Sequence, residues 1–402
     1  MRSQDSEEVR RLPGETLDVM ALIRQRVREA IEGSVDEELE IALGAKPKER
    51  TAGRLGYRHG AAVRRVVTED GPRELAIPRG RILQEDGGSR EWHSRLLPRY
   101  QRRTRRVDEA LTLAYLGGVN TRRMRRSLQP LLGSDFLSKS AISRIVGRIQ
   151  ALFEAWSTRD LSKEGYAYLY LDGMRLPIRM ARRVVKVPVM AVLGVREDGQ
   201  KVLVALQVAT SESTASWAAV VQDLARRDMP APILVLLDGN KGLVRAVQET
   251  WPQAQLQRCT KHKLENLLSK APKHCHPELK RDYSAITHPL SAEAAQRAYE
   301  AFLGKWRGIL PTVAESLEEA GEHLLTFTRF PKSQWKSLRT TNQIERLNGE
   351  FRRRTKTQGS FRNERSALVL LYGLVAFGQI GLRKIDGWQE VVKVVVNLRK
   401  VA

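Results

Sequence analysis

Residues 233–258, ILVLLDGNKGLVRAVQETWPQAQLQR, read as strand, turn, helix and strand. Ile233 to Leu237 is an unbroken apolar run of branched side chains, as in a strand buried on both faces. Asp238-Gly239 ends it, Gly242 to Thr250 has helical spacing, and Gln255 to Arg258 is a last short strand. Upstream, Tyr168 to Leu171 is another short apolar strand, ending in Asp172-Gly173. Val184 to Val195 and Lys201 to Val208 are further strands joined at Glu197-Asp198-Gly199-Gln200, and Ser213 to Arg226 is helical. Three strands in hairpin succession followed by helix, strand, helix and strand predict a mixed-sheet α/β core.

Asp172 and Asp238 thus each follow an apolar strand and precede a Gly that lets the chain turn. If the first and fourth strands are neighbours, both carboxylates emerge at one edge. A third acid lies in TTNQIERLNGEFRRRTK, residues 340–356, a polar turn followed by a helix. At 100° per residue, Ile344, Leu347 and Phe351 form its apolar stripe while Glu345, Asn348, Gly349 and Arg352 share another face. Arg346, Arg352, Arg353, Arg354 and Lys356 give Glu345 a cationic setting that suits work beside a phosphodiester. Three converging carboxylates make a magnesium site, and two ions about 3.5–4 Å apart would activate a water or 3′-hydroxyl and steady the leaving oxygen. Taken singly, each Asp reads rather as a turn residue and Glu345 as a surface residue; the three together lower that reading.

The chain has 402 residues, 42% of them hydrophobic, enough for two or three domains with real cores. Lys and Arg number 69 against 46 Asp and Glu, a formal net charge of +23 that is spread along the chain rather than held in a tail. A polyanionic partner follows from that charge, with a merely solubilising basic surface as the bland alternative. Two cysteines, Cys259 and Cys275, exclude a disulfide framework and suggest a reducing cytosol. The beginning, MRSQDSEEVRRLPGE, has no apolar leader, and no run of about 18 apolar residues occurs, so no membrane role is expected.

Leu17 to Leu43 has helical spacing, and Lys46 to His59 reads as a basic loop. Val63 to Val67, Arg73 to Ile77 and Arg81 to Leu83 predict three short strands, turning at Asp70-Gly71-Pro72 and Pro78-Arg79-Gly80. Three helices follow: Val107 to Leu116 ended by Gly117-Gly118, Thr121 to Gln129 stopped by Pro130, and Ser138 to Trp156 with Ser138 as N-cap. Their short connections suggest a helix-turn-helix unit, although an ordinary basic three-helix bundle fits the same spacing. In the third, Ile142, Ile145, Val146 and Ile149 form the packing stripe and Lys139, Ser140, Ser143, Arg144 and Arg148 face outward, suited to phosphate and base-edge contacts. Arg102, Arg103, Arg105 and Arg106 add a phosphate-binding run just before them.

LVLLDGNKGL, QRCTKHKLENLL and TTNQIERLNGEFRRRTK, in this order and separation, resemble the motif set of the Mutator-type bacterial insertion-sequence transposases. LGAKPKERTAGRLGYRHG, YLDGMRLPIR and GSFRNERSALVLLYG are similar to family segments as well, so the resemblance covers most of the chain. It implies a ribonuclease-H-like core with an Asp-Asp-Glu triad, carried by matching motif to Asp172, Asp238 and Glu345, which would hold two magnesium ions, with manganese an expected substitute. It also implies an all-helical insertion between the last core strand and the Glu345 helix, in agreement with helical spacing at Glu293 to Phe302 and Thr312 to Ala320. Cys259 and His262 would support the active site, as the family's Cys-x-x-His element implies, with Arg346 and Asn348 beside Glu345. A zinc site from Cys259, His262 and the nearby His274, Cys275 and His276 lacks a familiar spacing. The chain departs from the family pattern at Asn240, where a His or small residue is common, and at Glu265-Asn266, where Arg-Asn is common.

The expected organisation is a helical and basic region at 1–60, a small β region at 61–98, a helix-turn-helix-like region at 99–160, the first part of the core at 161–259, a helical insertion at 260–336, and core completion with C-terminal helices at 337–402. The expected function is a DNA transposase that binds element ends and catalyses magnesium-dependent strand cleavage and strand transfer by a copy-out, paste-in route. Double-stranded DNA is the expected partner, a homodimer on DNA the expected assembly, and the cytoplasm, at the nucleoid, the expected place. The rival classes are a structure-selective nuclease on the same core and a domesticated, non-catalytic DNA-binding protein. Trp217 and Trp388 read as packing residues, whereas Trp306 and Trp335, in or beside the insertion, are candidates for stacking on a frayed terminal base.

Overall fold

The computed structural model describes residues 19–117, 121–132, 139–180, 182–211 and 213–399. The chain divides into two compact units, one of Met1–Thr112 with Thr121–Ile142 and the other of Leu113–Asn120 with Ser143–Ala402. Among the described residues, no helix is long and apolar enough to cross a membrane.

In the first unit a helix, Val19–Leu43, packs on a three-stranded antiparallel sheet of β1 (Gly56–Thr68), β2 (Gly71–Leu83) and β3 (Ser89–Glu91). Val35, Val66, Leu75, Ile77 and Leu97 form its core. The turn expected at Asp70-Gly71 is present, but Pro78-Arg79-Gly80 is no turn: β2 runs straight through it. A register shift between Arg58 and Ala61 of β1 lies opposite Pro78, where the proline's missing N–H is tolerated. Gly80 is needed because a Cβ there would come within 2.6 Å of Leu39. The basic loop accordingly ends at Gly56 rather than at His59.

Helices Arg105–Leu116, Thr121–Leu132 and Lys139–Ser157 follow. The second continues past Pro130, the expected stop, for two more residues. Ser138 and Gly118 lie outside the described residues. In the third, Ile145 and Ile149 are buried, Ile142 and Val146 partly so, and Ser143, Arg144 and Arg148 are exposed.

The second unit is built on a five-stranded sheet in the order β6-β5-β4-β7-β8, of β4 (Tyr166–Met180), β5 (Arg183–Arg196), β6 (Lys201–Val208), β7 (Leu234–Leu237) and β8 (Gln255–Arg258). β4, β5 and β6 pair antiparallel, and β7 and β8 run parallel to β4, so the first and fourth strands of the expected core are neighbours. The alternation of YLYL separates the two faces. Leu169 and Leu171 join the core beneath helices Thr214–Arg226 and Lys241–Thr250, with Trp217, Val221, Leu243 and Val247. Tyr168 and Tyr170 face the other way: their hydroxyls donate to Gln334 Oε1 at 2.7 Å and to the Ser337 carbonyl at 3.0 Å.

Residues 260–338 are helices and 3-10 turns around a core of their own that includes Leu279, Tyr283, Phe302, Trp306 and Leu317. Where this segment leaves and rejoins the sheet, Thr260 N–H donates to the Arg339 carbonyl at 2.9 Å. That link and the two tyrosine hydroxyls deliver the next helix, Asn342–Thr355, onto β4 and β5. Trp306 is fully buried, with Nε1 3.2 Å from Asp282 Oδ2, and Trp335 is buried with Nε1 donating to the Phe330 carbonyl. Neither ring is open to a stacking base, because each indole N–H found an acceptor inside the helical core. Trp388, expected to pack, is 40% exposed with Lys384 Nζ 3.8 Å above its ring.

Candidate active site

The three parallel strands bring their acids and the cysteine to one level. Tyr170 is registered with Leu236, and Leu236 with Gln257, so two residues further along Asp172, Asp238 and Cys259 stand side by side on strands about 4.8 Å apart. Asp172 is not at a strand end, as the Asp-Gly pair suggested. β4 continues to Met180 with Asp172 opposite Ala191 and Gly173 opposite Met190, because Met174, Leu176 and Ile178 prolong the buried alternation along a β5 of nearly equal length.

Asp238 does follow its strand and is exposed, with Oδ1 accepting from Asn240 N–H at 2.9 Å. Gly239 after it has φ +94°, and a Cβ there would lie 2.3–2.5 Å from the Arg258 guanidinium. Asn240, the departure from the family pattern, caps helix Lys241–Thr250 by accepting from the Gly242 and Leu243 N–H groups.

Asn348 of the Asn342–Thr355 helix is fully buried, and its Nδ2 donates to Asp172 Oδ2 at 2.8 Å. Ile344, Leu347 and Phe351 are buried as the stripe predicted. Glu345, one turn before Asn348, has Oε1 accepting from Thr341 Oγ1 at 3.0 Å and Oε2 from Lys261 Nζ at 2.6 Å, with His262 Nε2 at 3.8 Å from Oε1. Its cations thus come from another element, helix Thr260–Ser269, and not from its own. Arg353 pairs with Glu350 at 2.5 Å, Arg354 lies 3.7 Å from the same carboxylate, and Arg346 and Arg352 are exposed. Lys261 and Thr341 escaped the sequence reading, although both lie inside quoted motifs. No periodicity within one helix reveals a partner on another.

Cys259 is buried, and its Sγ accepts from the Thr341 N–H at 3.4 Å and lies 3.2 Å from Thr341 Oγ1. Cys259 Sγ, a ring nitrogen of His262 and a Glu345 carboxylate oxygen lie within 4.8 Å of one another. Burial raises the Cys259 pKa, but His262 and Thr341 outweigh it and hold the thiol below its ordinary range. His262 is raised to about 9 by Cys259, against burial, with Glu345 and Asp172 adding to the rise. Burial pushes Asp172 up to about 6, opposed by Asn348 and His262. Glu345 is held low, since Lys261, Thr341 and His262 together outweigh its burial. The site therefore sets one carboxyl poised to lose its proton beside another already ionised, with a cationic imidazole between.

The remaining expected DNA-contact residues are dispersed. Arg103 is tied to Asp108 at 2.6 Å and Arg105 to Glu109 at 3.0 Å, while Arg102 and Arg106 are exposed. Lys139 begins its helix, and its side chain is outside the described residues.

Residues 2–378 match the family described as Transposase, Mutator family. The chain is 34% identical over 352 residues, 88% of its own length and 86% of the relative's, to the transposase for insertion sequence element ISRM5 of Rhizobium meliloti (strain 1021). It is 34% identical over 354 residues, 88% and 83% of the two lengths, to that for element IS1081 of Mycobacterium tuberculosis, and 32% identical over 348 residues, 86% of each, to that for element IS905 of Lactococcus lactis.

Proposed function

We propose, for a chain that belongs to the Mutator family of transposases, that it binds the ends of an insertion sequence and cuts and joins DNA strands with the triad Asp172, Asp238 and Glu345. The observation that carries this is the convergence of Asp172 and Asp238, level on neighbouring parallel strands, with a helix that lays Asn348 on Asp172 and Glu345 one turn away. The order β6-β5-β4-β7-β8, in which only the second strand runs against the rest of the central group, supports a ribonuclease-H-like core.

Magnesium fits these residues. The donors are hard carboxylate oxygens, the half-buried Asp172 carboxyl is pushed up to about 6 by desolvation, which a bound cation would offset, and Asn348 Oδ1 is buried without a hydrogen-bond partner. Bound magnesium would supply activation of the attacking water or 3′-hydroxyl and neutralise charge on the leaving oxygen. Asn348 fixes the Asp172 carboxylate through one oxygen, and the Gly173 backbone N–H helps to hold the group. Lys261, 46% exposed and at the first turn of its helix, is placed to exchange Glu345 for a phosphate oxygen. His262 holds its proton at neutral pH and adds a second positive charge facing the same position. Two element ends must be held together for transfer, which is the argument for a homodimer on DNA.

The test is cleavage of end-labelled element DNA with magnesium, with calcium and with neither. Asp172→Asn, Asp238→Asn and Glu345→Gln are expected to abolish cleavage and transfer while end binding persists. Normal cleavage by any one of them removes that residue from the triad, and binding without cleavage by the unaltered chain would mark a DNA-binding protein.

A further inference from the structure

We propose that Cys259, His262 and Glu345 form a second metal site, for a borderline-soft divalent cation such as zinc, which shares Glu345 with the carboxylate cluster. Their ligating atoms lie within 4.8 Å of one another, so side-chain rotations alone would bring them onto an ion about 2.0–2.3 Å from each. Cys259 is the N-cap of helix Thr260–Ser269 and His262 sits in its first turn, which puts sulfur and imidazole on one side; Glu345 closes the site from the facing helix. Sulfur and nitrogen set this group apart from Asp172 and Asp238, whose oxygens suit magnesium.

Two further observations point to a missing cation. The Thr341 hydroxyl lies within hydrogen-bond distance of both Cys259 Sγ, at 3.2 Å, and Glu345 Oε1, at 3.0 Å, yet it has a single proton to donate. His262 Nδ1 is buried with no hydrogen-bond partner. Sulfur and carboxylate thus share one hydroxyl proton, and the imidazole would give up its own proton on taking an ion. The side chains of His262 and Glu345 are 29% and 22% exposed, which leaves a path for an ion to a cysteine that is itself buried. Three protein ligands leave the fourth tetrahedral position open to water or a phosphate oxygen. An ion here would take Glu345 away from the oxygen cluster and stop strand chemistry. That consequence rests on the function proposed above, whereas the binding does not.

Cobalt(II) titrated into the full chain carrying Cys275→Ala, which leaves Cys259 as its sole thiol, tests the site. One equivalent should produce thiolate-to-cobalt charge-transfer absorption and the visible bands of a four-coordinate ion, both removed by zinc. Cys259→Ser should lose the charge-transfer absorption, and His262→Gln and Glu345→Gln should each weaken binding about tenfold or more. Since Cys259 is buried, the partly exposed His262→Gln serves as the second variant, its folding checked by its thermal transition. Absence of a thiolate band, its persistence in Cys259→Ser, or an unchanged affinity in His262→Gln would overturn the site. Zinc inhibition of cleavage is the arm that depends on Glu345 belonging to the triad: if Glu345→Gln cuts DNA normally, the proposed function fails and the cobalt spectrum still stands or falls alone.

Discussion

Asp172 is a carboxyl group set in the middle of a core strand, and burial pushes its pKa up to about 6, well above an ordinary value of about 3.9. The folded chain therefore holds this proton more tightly than the unfolded one. The resulting stabilisation is complete below the ordinary value and is lost as pH rises through about 6, above which a buried charge is carried at a cost. Asp172→Asn should accordingly raise the melting temperature of the metal-free protein by about 2–4 °C at about pH 7.5 and leave it nearly unchanged at about pH 4. Scanning calorimetry at the two pH values checks this, and a variant destabilised at both would show that the carboxylate is not strained by burial. Asn348→Ala removes the donor at 2.8 Å and should drive the Asp172 pKa higher by about one unit. The acid limb of the pH–rate profile for cleavage should then move to higher pH by the same amount; an unmoved limb would mean that another group controls it.

At the scale of elements, the placing of the Glu345 helix depends on how the helical segment rejoins the sheet. Tyr168 and Tyr170, on alternate positions of β4, bind Gln334 and the Ser337 carbonyl just before that helix. Tyr170→Phe should cost about 1 kcal/mol in denaturant unfolding and slow cleavage more than it weakens DNA binding; equal loss in both would show that the contact serves stability alone. Gly239→Ala meets both a positive φ and the Arg258 guanidinium, so a loss of about 1–3 kcal/mol is expected, and Asp238 would be displaced with it. Lys263, two residues after Lys261, is buried against Glu319 at 2.9 Å and ties the helical segment to its first helix. Two lysines flanking His262 thus do different work, one inward and one toward Glu345.

Across the whole molecule the formal charge is +23, and counterion release should set the affinity for DNA. About 8 phosphate contacts would cost about four decades of affinity between about 50 and 200 mM salt. Neutralising Arg352, Arg353 and Arg354 should flatten the salt slope and slow the chemical step, because these residues follow Glu345 on its helix. Neutralising Arg102 and Arg106, two exposed residues of the N-terminal run, should flatten it while sparing the rate on DNA already bound. Filter-binding slopes and single-turnover rates separate the two. A slope unchanged by both substitutions would mean that these cations face solvent in the complex. Arg103 is kept out of the second set, since its pairing with Asp108 makes it part of the local structure.

The sequence by itself determined which residues are apolar in periods of two and 3.6, and that was enough for the strands of the core, the two helices between them, and the stripe of Ile344, Leu347 and Phe351. It also drew attention to Asp172, Asp238 and Glu345, two of them beside apolar strands and one on a basic helix, while Cys259, His262 and Asn348 entered through the family resemblance of the motifs that hold them. Where Pro78 and Gly173 suggested breaks, the strands continue, since a bulge or a long pairing partner outweighs a local preference that is worth little against a ladder of hydrogen bonds. Only the tertiary structure decided that Asp172, Asp238 and Cys259 stand level with one another, that Lys261 rather than the arginines of its own helix holds Glu345, and that Trp306 and Trp335 are sealed inside. Each of these depends on the register and approach of elements far apart in the chain, and one-dimensional spacing carries no information about which of two surfaces will meet.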